Sequence, residues 1–437
     1  METTSKARYN WYKGKHLYVM IISGLMYFLF VLTNTGATNV VIPMLSGIRG
    51  WNETTALSVL TIAGYIAAVA ALLIGGVVLK SGPKKVMIVC LIVCGISWCF
   101  WGAARSFAVF CIAMTVSSIS AYGFQTASTP ALVGRWFPRT KGIVLGWVTM
   151  GVIISDVIWQ PYVPALIGRF GPVLTFCGLG AVYVIVAAIM ALTIHNLPEE
   201  EGRWPDGLAE GSEEARKAAK ELETYKSPYT IAKSLRTKEV WQIACGFALL
   251  LLTGVVYVSN VVQRVLSLGY EMDFALSVLQ ISGIFALFGS LFFGFLDQKL
   301  GTKTAGTIFA CYYFVMWIFC LLQPFVGAIL IRISSAGILF GIGGIFNLIV
   351  SMTITKFGRW DFVGPQIAVG FLHQVFVSSG YAIIAIFTST NLGHTGAYVF
   401  CMILTVICFF IIRSIDPKCI GKVDAETAAA KFETTGA

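Results

Sequence analysis

Charge is what this sequence has least of. Only 12% of its 437 residues are Asp, Glu, Lys or Arg, against roughly 25% in soluble domains. With 57% hydrophobic residues and a mean hydropathy of +0.81, the chain cannot hide its apolar side chains in one water-facing globule. It also lacks the polar–apolar alternation over about ten residues that membrane barrel strands need. Its apolar runs are instead continuous over about twenty residues, long enough to cross a bilayer as helices. Lipid admits only helices and closed barrels, because both satisfy every backbone group internally. The fold class expected is an all-α membrane protein.

Other absences narrow the function. The eleven Cys make no metal-ligand spacing. Cys90 and Cys94 are flanked by Val, Leu and Ile, so they read as small core residues. The run Gly341–Gly344 (GIGG) lacks the strand that a nucleotide loop requires and reads as close helix packing. No nucleophile triad and no ATP-binding segment is found. These absences argue against an enzyme, a metal site, a cofactor and an ATP-driven pump. A cleavable signal is not expected either, since the first apolar run, about 27 residues, is too long for one.

What is present is a count of twelve apolar runs, at roughly 17–43, 55–79, 85–104, 107–133, 142–167, 172–194, 240–266, 274–296, 304–323, 327–352, 364–388 and 395–413. One long polar segment, Asn196 to Glu239, divides six from six. Its middle, Ala209 to Glu223, reads as a solvated helix of mixed charge. The division expected is a first bundle over 1–195, a linker over 196–239, a second bundle over 240–416 and a tail over 417–437. With the N-terminus in the cytoplasm, all but five of the 31 Lys and Arg fall on the cytoplasmic side. The five are Arg49, Arg105, Arg169, Arg264 and Arg332. That bias places both ends inside, with the plasma (cell inner) membrane expected. The net charge of +10 is then a topology signal, with lipid headgroups rather than nucleic acid as its partner.

The chain also says one thing twice, about 220 residues apart. GRWFPRTKG (Gly134 to Gly142) returns as TKFGRWDFVG (Thr355 to Gly364). One apolar hairpin earlier in each half lie GGVVLKSGPKK (Gly75 to Lys85) and GFLDQKLGTK (Gly294 to Lys303). Two six-helix halves with matched turns suggest two half-bundles around a central site. The pattern G-x-x-x-D-[RK]-x-G-[RK]-[RK] is the signature of the major facilitator superfamily, and these turns resemble it. Gly75, Lys80, Gly82, Lys84 and Lys85 fit, with Leu79 at the acidic position and Pro83 at a basic one. In the second half Gly294, Lys299, Gly301 and Lys303 fit, with Gln298 at the acidic position. The resemblance implies twelve helices in two pseudo-symmetric bundles. It also implies a cytoplasmic gate built from Gly75, Lys80, Gly82, Lys84, Arg135, Lys299, Gly301, Arg359 and Asp361.

A finer likeness is carried by RWFPRTKG, LRTKEVW (Leu235 to Trp241) and FGRWDFVG. These are similar to loops of the oxalate:formate antiporter family and its monocarboxylate-porter relatives. That family carries basic residues inside its eighth and eleventh spans. Aligning the loops puts Ser290 and Phe376 there, and neither is charged. The departure speaks against oxalate itself.

Strong polar groups are confined to some of the runs. The third, sixth, ninth and twelfth are almost free of them and are expected to face lipid. The first carries Asn34, Thr35, Thr38 and Asn39; the fourth Ser118, Tyr122, Gln125 and Thr129; the seventh Tyr257, Asn260 and Arg264. The tenth carries Asn347 and Ser351; the eleventh His373, Gln374, Ser378 and Tyr381. Steps of three and four put each set on one helix face. Amides in lipid are costly unless they meet partners or water, so each face reads either as a cavity wall or as interhelical bonding.

Asp156, on the face of Trp159 and Gln160, is the one acid deep inside a run. A carboxylate there costs at least about 2.5–3.5 kcal/mol on insertion scales. It reads as a proton carrier or as a structural acid, and His373 is the matching candidate in the other half. Arg264 reads as an anion attractor near the outer mouth or as a side chain snorkelling to the interface. The function expected is a secondary transporter of a small organic anion, a monocarboxylate, coupled to protons or to exchange of a counter-anion, and working as a monomer. The alternatives are proton-coupled export of a hydrophobic or neutral compound and, in another class, a membrane substrate sensor.

Overall fold

The computed structural model describes residues 11–33, 37–51, 53–138, 140–207 and 225–422. Within these ranges the side chains of 37–40, 43, 53–61, 153, 156, 157, 160, 161, 276, 359, 381, 382 and 385 are outside the description. The charged stretch Ala209 to Glu223 lies outside the described residues.

Twelve helical spans follow in order. The first is Gly14–Val31 with Ala37–Arg49, and the second is Glu53–Ser81. The third is Pro83–Ala103. The fourth joins Phe107–Tyr122, a π-helical Gly123–Ser128 and Thr129–Trp136. The fifth and sixth run as Lys141–Thr193, with the chain reversing at Gly171. The seventh joins Lys238–Ile243, Ala244–Ala248, Leu249–Val258 and Val261–Ser267. The remaining spans are Met272–Leu300, Thr302–Val326, Ala328–Asp361 with a bend at Gly358, Val363–Thr388 and Gly393–Ser414. All are helical because apolar side chains surround a backbone that must bond to itself in lipid.

The duplicated motif is duplicated in geometry. Gly82 (φ 79°, ψ 161°) opens the third span and Gly301 (φ 79°, ψ 155°) opens the ninth. Only glycine reaches this region without strain. Each reverses the chain in one residue, and Pro83 then takes the first helical position, where its missing N–H costs nothing.

Each half has its own packed interior. Trp98, Trp101, Phe176 and Tyr183 lie in the first, and Phe309, Tyr313, Trp317 and Tyr398 in the second. Between helices in lipid no hydrophobic force operates, so close packing has to hold them. Small residues supply it. A Cβ on Gly151 would stand 2.2 Å from the Gly24 carbonyl, and one on Gly180 would stand 2.3 Å from the Gly95 carbonyl. The outward side chains are greasy, with Leu192 84% and Phe325 83% exposed.

The turns after the even-numbered spans share one face with both described ends of the chain. The first part of the linker is fastened to the first half. Glu201 meets Lys15 at 3.0 Å, His195 at 2.5 Å and Arg203 at 3.5 Å. Asp206 accepts from the Thr140 N–H and hydroxyl at 2.8 and 2.7 Å. The last part is fastened to the second half by Asp361, which accepts from the Tyr225 hydroxyl at 3.0 Å, the Ser227 hydroxyl at 2.5 Å and the Lys422 N–H at 2.8 Å. The linker is thus tied to each half at its own end.

One expectation about polarity is corrected. The ninth span is not free of polar groups at its core. Gln323 is 1% exposed and bonded to the seventh and tenth spans.

Candidate functional site

The first and fourth spans build one wall. Gln125 lies beside the hydroxyl of buried Tyr27. Tyr122 sets its ring edge-on to Phe30 at 5.2 Å and packs on Ala67 and Ala71 of the second span. Gln125 sits in the π-helical segment, where one extra residue per turn shifts the register and leaves carbonyls short of donors. Two hydroxyls five residues on supply them. Ser128 donates to the Gly123 carbonyl and Thr129 to the Phe124 carbonyl, both at 2.8 Å. From the fifth span Trp159 reaches Phe28, ring centroids 5.5 Å apart, and its buried indole N–H has no acceptor among the described residues.

The eleventh span supplies the facing wall. Gln374 donates to Ser378 at 2.9 Å, and its amide nitrogen would be 3.8 Å from a Cβ on Gly64 of the second span. A Cβ on Gly370 would stand 2.9 Å from the Thr126 methyl. His373 lies edge-on to Phe346 at 6.1 Å, and its Nε2 is buried without a partner among the described residues. At this level the halves meet where Gln374 lies against Gly64 and Gly370 against Thr126; Tyr122 and Trp159 pack within the first half and His373 within the second. Asn34 and Thr35 lie outside the described residues, as do the side chains of Thr38, Asn39, Asp156, Gln160 and Tyr381.

Below this level, toward the even-turn face, the halves are sealed to one another. Thr149 and Ser290 share a hydrogen bond at 2.7 Å, and Ser290 also donates to the Gly146 carbonyl at 2.6 Å. Asn347 donates to the Ser290 carbonyl at 3.0 Å, which makes it part of the seam. Lys141 crosses from the fifth span to the Ser351 carbonyl at 2.8 Å and to the Thr355 hydroxyl. Gly75 lies against Ile367, and Gly134 against Phe362.

Two of the turn cations expected to clamp this face point to its surface. Lys80 and Lys299 are exposed, and among the described residues the ion pairs all fall on Glu201. Lys84 is held through its N–H by Asn196, at 3.0 Å. Arg135 is half-buried at the end of the fourth span. The Arg359 side chain lies outside the described residues. Asp361 fastens the linker and tail within its own half, as described above. Burial, then the Asp361 carboxylate, pushes the Tyr225 hydroxyl up to about 12, so the phenol keeps its proton and donates. Glu201 is drawn below the usual carboxylate range: burial pushes it up, and its bonds to Lys15 and His195 outweigh that.

The seventh span departs from expectation. Tyr257 bonds to Ser335 at 2.6 Å and accepts from Gln323 at 3.1 Å. Arg264 donates to Gln323 at 3.3 Å and lies 5.5 Å over the Tyr398 ring. Asn260 interrupts the helix and meets His394 at 3.1 Å. These three bond to the ninth, tenth and twelfth spans, inside the second half rather than between the halves. Nor does Arg264 snorkel, being 7% exposed. Helical spacing put these residues on a face but could not say which neighbour that face meets. The partner is Gln323, a lone amide in a greasy run. Lys141, missed as a seam residue, sits in the basic turn that the repeat had marked.

Comparison with known proteins bears on the whole chain. A family model described as Major Facilitator Superfamily matches residues 24–358. The Escherichia coli (strain K12) protein "Uncharacterized MFS-type transporter YhjX" is 22% identical over 226 residues, 51% of this chain and 52% of that one. The chain thus spans about half the length of that curated relative. Among solved structures, the proton:xylose symporter XylE bound to 6-bromo-6-deoxy-D-glucose aligns with a TM-score of 0.71 at 14% identity, covering 97% of this chain and all of that one. The E. coli fucose:proton symporter FucP aligns at 0.64 and 13%, covering 92% and 99%. The human organic anion transporter MFSD10 (TETRAN) aligns at 0.66 and 13%, covering 91% and 97%.

Proposed function

The chain belongs to the Major Facilitator Superfamily, and from that premise we propose that it carries a small organic anion, a monocarboxylate, by alternating access. The observation that carries the reading is the position of the cross-half bonds. Among the described residues Lys141 and Thr149 bond across the halves on the even-turn side, and beyond them Gly64 lies against Gln374 and Gly370 against Thr126. A carrier sealed on one side of its site needs this arrangement, and rocking the halves would move the seal to the other side.

The cargo follows from the donor set and the loops. The unpaired Trp159 N–H and the Gln374 amide offer donors to a carboxylate, amid rings that suit a small apolar body. The loops resemble those of the monocarboxylate porters. Uncharged Ser290, buried in the seam, and Phe376, packed in the second half, leave no second cation for a dianion. Asp156 is assigned the coupling proton, with His373 as the second candidate. Topology follows from the basic residues: the even-turn face and both ends of the chain lie in the cytoplasm, in the plasma membrane, and one chain suffices as a monomer. Residues 1–195 and 240–416 form the moving bodies, joined by 196–239.

A second reading is favoured by one observation. Tyr27, Phe28, Phe30, Tyr122 and Trp159 bring aromatic rings to the first half's wall, which suits a neutral or hydrophobic compound exported against protons. Proteoliposome uptake of labelled monocarboxylates, with and without an imposed pH gradient, separates the two. Saturable uptake is expected, steeper with acid outside. Absence of uptake for every carboxylate would remove the anion and leave the exporter. In Asp156→Asn the pH dependence is expected to vanish; a retained dependence would take the proton from this residue.

A further inference from the structure

We propose that the second half-bundle binds one small monovalent anion, a halide or a short carboxylate, against Arg264. The site lies within one half, among the seventh, ninth and twelfth spans, and does not rest on the transport reading given above.

A guanidinium holds its charge at any physiological pH, so burial cannot neutralise it by proton loss. Arg264 is 7% exposed, and its Nη2 is buried with no hydrogen-bond partner among the described residues. Among the described residues no carboxylate pairs with it. Its one side-chain acceptor is the neutral Gln323 oxygen, at a long 3.3 Å. The Gln323 amide hydrogens are already committed to Tyr257 and Ser334, at 3.1 and 2.8 Å. The Tyr398 ring beneath it, 5.5 Å from the guanidinium carbon, offers a π-face but no charge.

The neighbours share the same shortage. Among the described residues the Tyr398 hydroxyl is buried without a partner, and so is the Trp317 indole N–H. The two rings are 5.8 Å apart. Two donors on touching side chains, the Arg264 Nη2 and the Tyr398 hydroxyl, are therefore left with no acceptor among the described residues, beside a full positive charge. Buried charges are ordinarily paired. The missing element is an acceptor bearing one negative charge. A dianion would leave one charge uncompensated amid aromatic walls, which restricts the ligand to a monovalent ion. Arg264 lies in Val261–Ser267, one turn from the end of its helix, so the ion reaches it from the odd-turn side.

The purified full-length chain, equilibrated in sodium gluconate, tests this by thermal unfolding. Sodium chloride, bromide, formate, acetate and sulfate are titrated in turn at matched ionic strength. A saturable rise in Tm is expected with at least one monovalent small anion and none with sulfate. A rise with halides alone identifies the ligand as an inorganic ion; a rise with formate or acetate alone identifies it as a carboxylate. Arg264→Gln is expected to abolish the rise. His373→Ala, on the wall between the halves, is expected to keep it. Should Arg264→Gln not fold, Tyr398→Phe retains the guanidinium and removes one donor, and half-saturation should move at least threefold higher. The same Tm in every salt, an undiminished rise in Arg264→Gln, or an unmoved half-saturation in Tyr398→Phe would overturn the proposal.

Discussion

Glu201 gathers Lys15, His195 and Arg203 around one carboxylate, and so pins the linker to the first half. Its proton affinity is depressed, because those bonds outweigh the upward push of burial. A depressed carboxyl contributes stability that is complete above its unfolded pKa, about 4.3, and is lost as pH falls through the folded value. The Tm difference between the parent chain and Glu201→Gln should therefore be constant above about pH 5 and shrink toward zero below about pH 4. A difference that does not change with pH would separate Glu201 from the charge role. At this scale the sequence was a fair guide to residue type and a poor one to partner. Gln125, Trp159, His373 and Gln374 were picked out as strong polar or ring-bearing groups in greasy runs, and of these Gln374 lies against Gly64 of the other half. Tyr257 and Arg264 were picked on the same grounds and bond to the ninth, tenth and twelfth spans instead. Periodicity reports the face of a helix, whereas the partner depends on which helix lies opposite.

Between elements, the seam of the fifth and eighth spans is built on glycine. A Cβ on Gly146 would stand 2.9 Å from the Ser290 carbonyl and 3.3 Å from the Gly294 Cα. Both are backbone atoms, which cannot swing aside as a side-chain tip does. Overpacking of this kind costs about 1–3 kcal/mol. Here the halves can relieve it by parting. Gly146→Val should lower proteoliposome uptake at least tenfold while the protein remains monodisperse on size exclusion, because the seal can no longer close. Uptake at the parental rate would show that this seam does not take part in the cycle. The basic turns were legible as a repeat, and Gly82 and Gly301 take up matching conformations. That the halves would be joined by Lys141 and by glycine contacts, rather than by Lys80 and Lys299, was not legible. A turn lysine looks the same in sequence whether it points to water or crosses to a neighbouring carbonyl.

For the molecule as a whole, the placement of the even-turn face in the cytoplasm is testable with a residue already present. Cys419 lies on that face, beside the tenth-span turn at Gly358, and is partly exposed. A membrane-impermeant maleimide should label it in inverted membrane vesicles and not in intact cells, and Cys419→Ser should remove that labelling. Labelling from the outside would reverse the assigned orientation. Twelve apolar runs, their division six and six, and the repeat that relates them were determined by the sequence alone, because lipid forces each run to satisfy its backbone by itself and leaves little to context. Which face of each helix meets the other half was decided only by the tertiary structure. So were the level at which the seal stops and the enclosure of Arg264 within one bundle. Each depends on contacts between residues far apart in the chain, and a local pattern of apolar and polar side chains does not encode which of several neighbours a helix will meet.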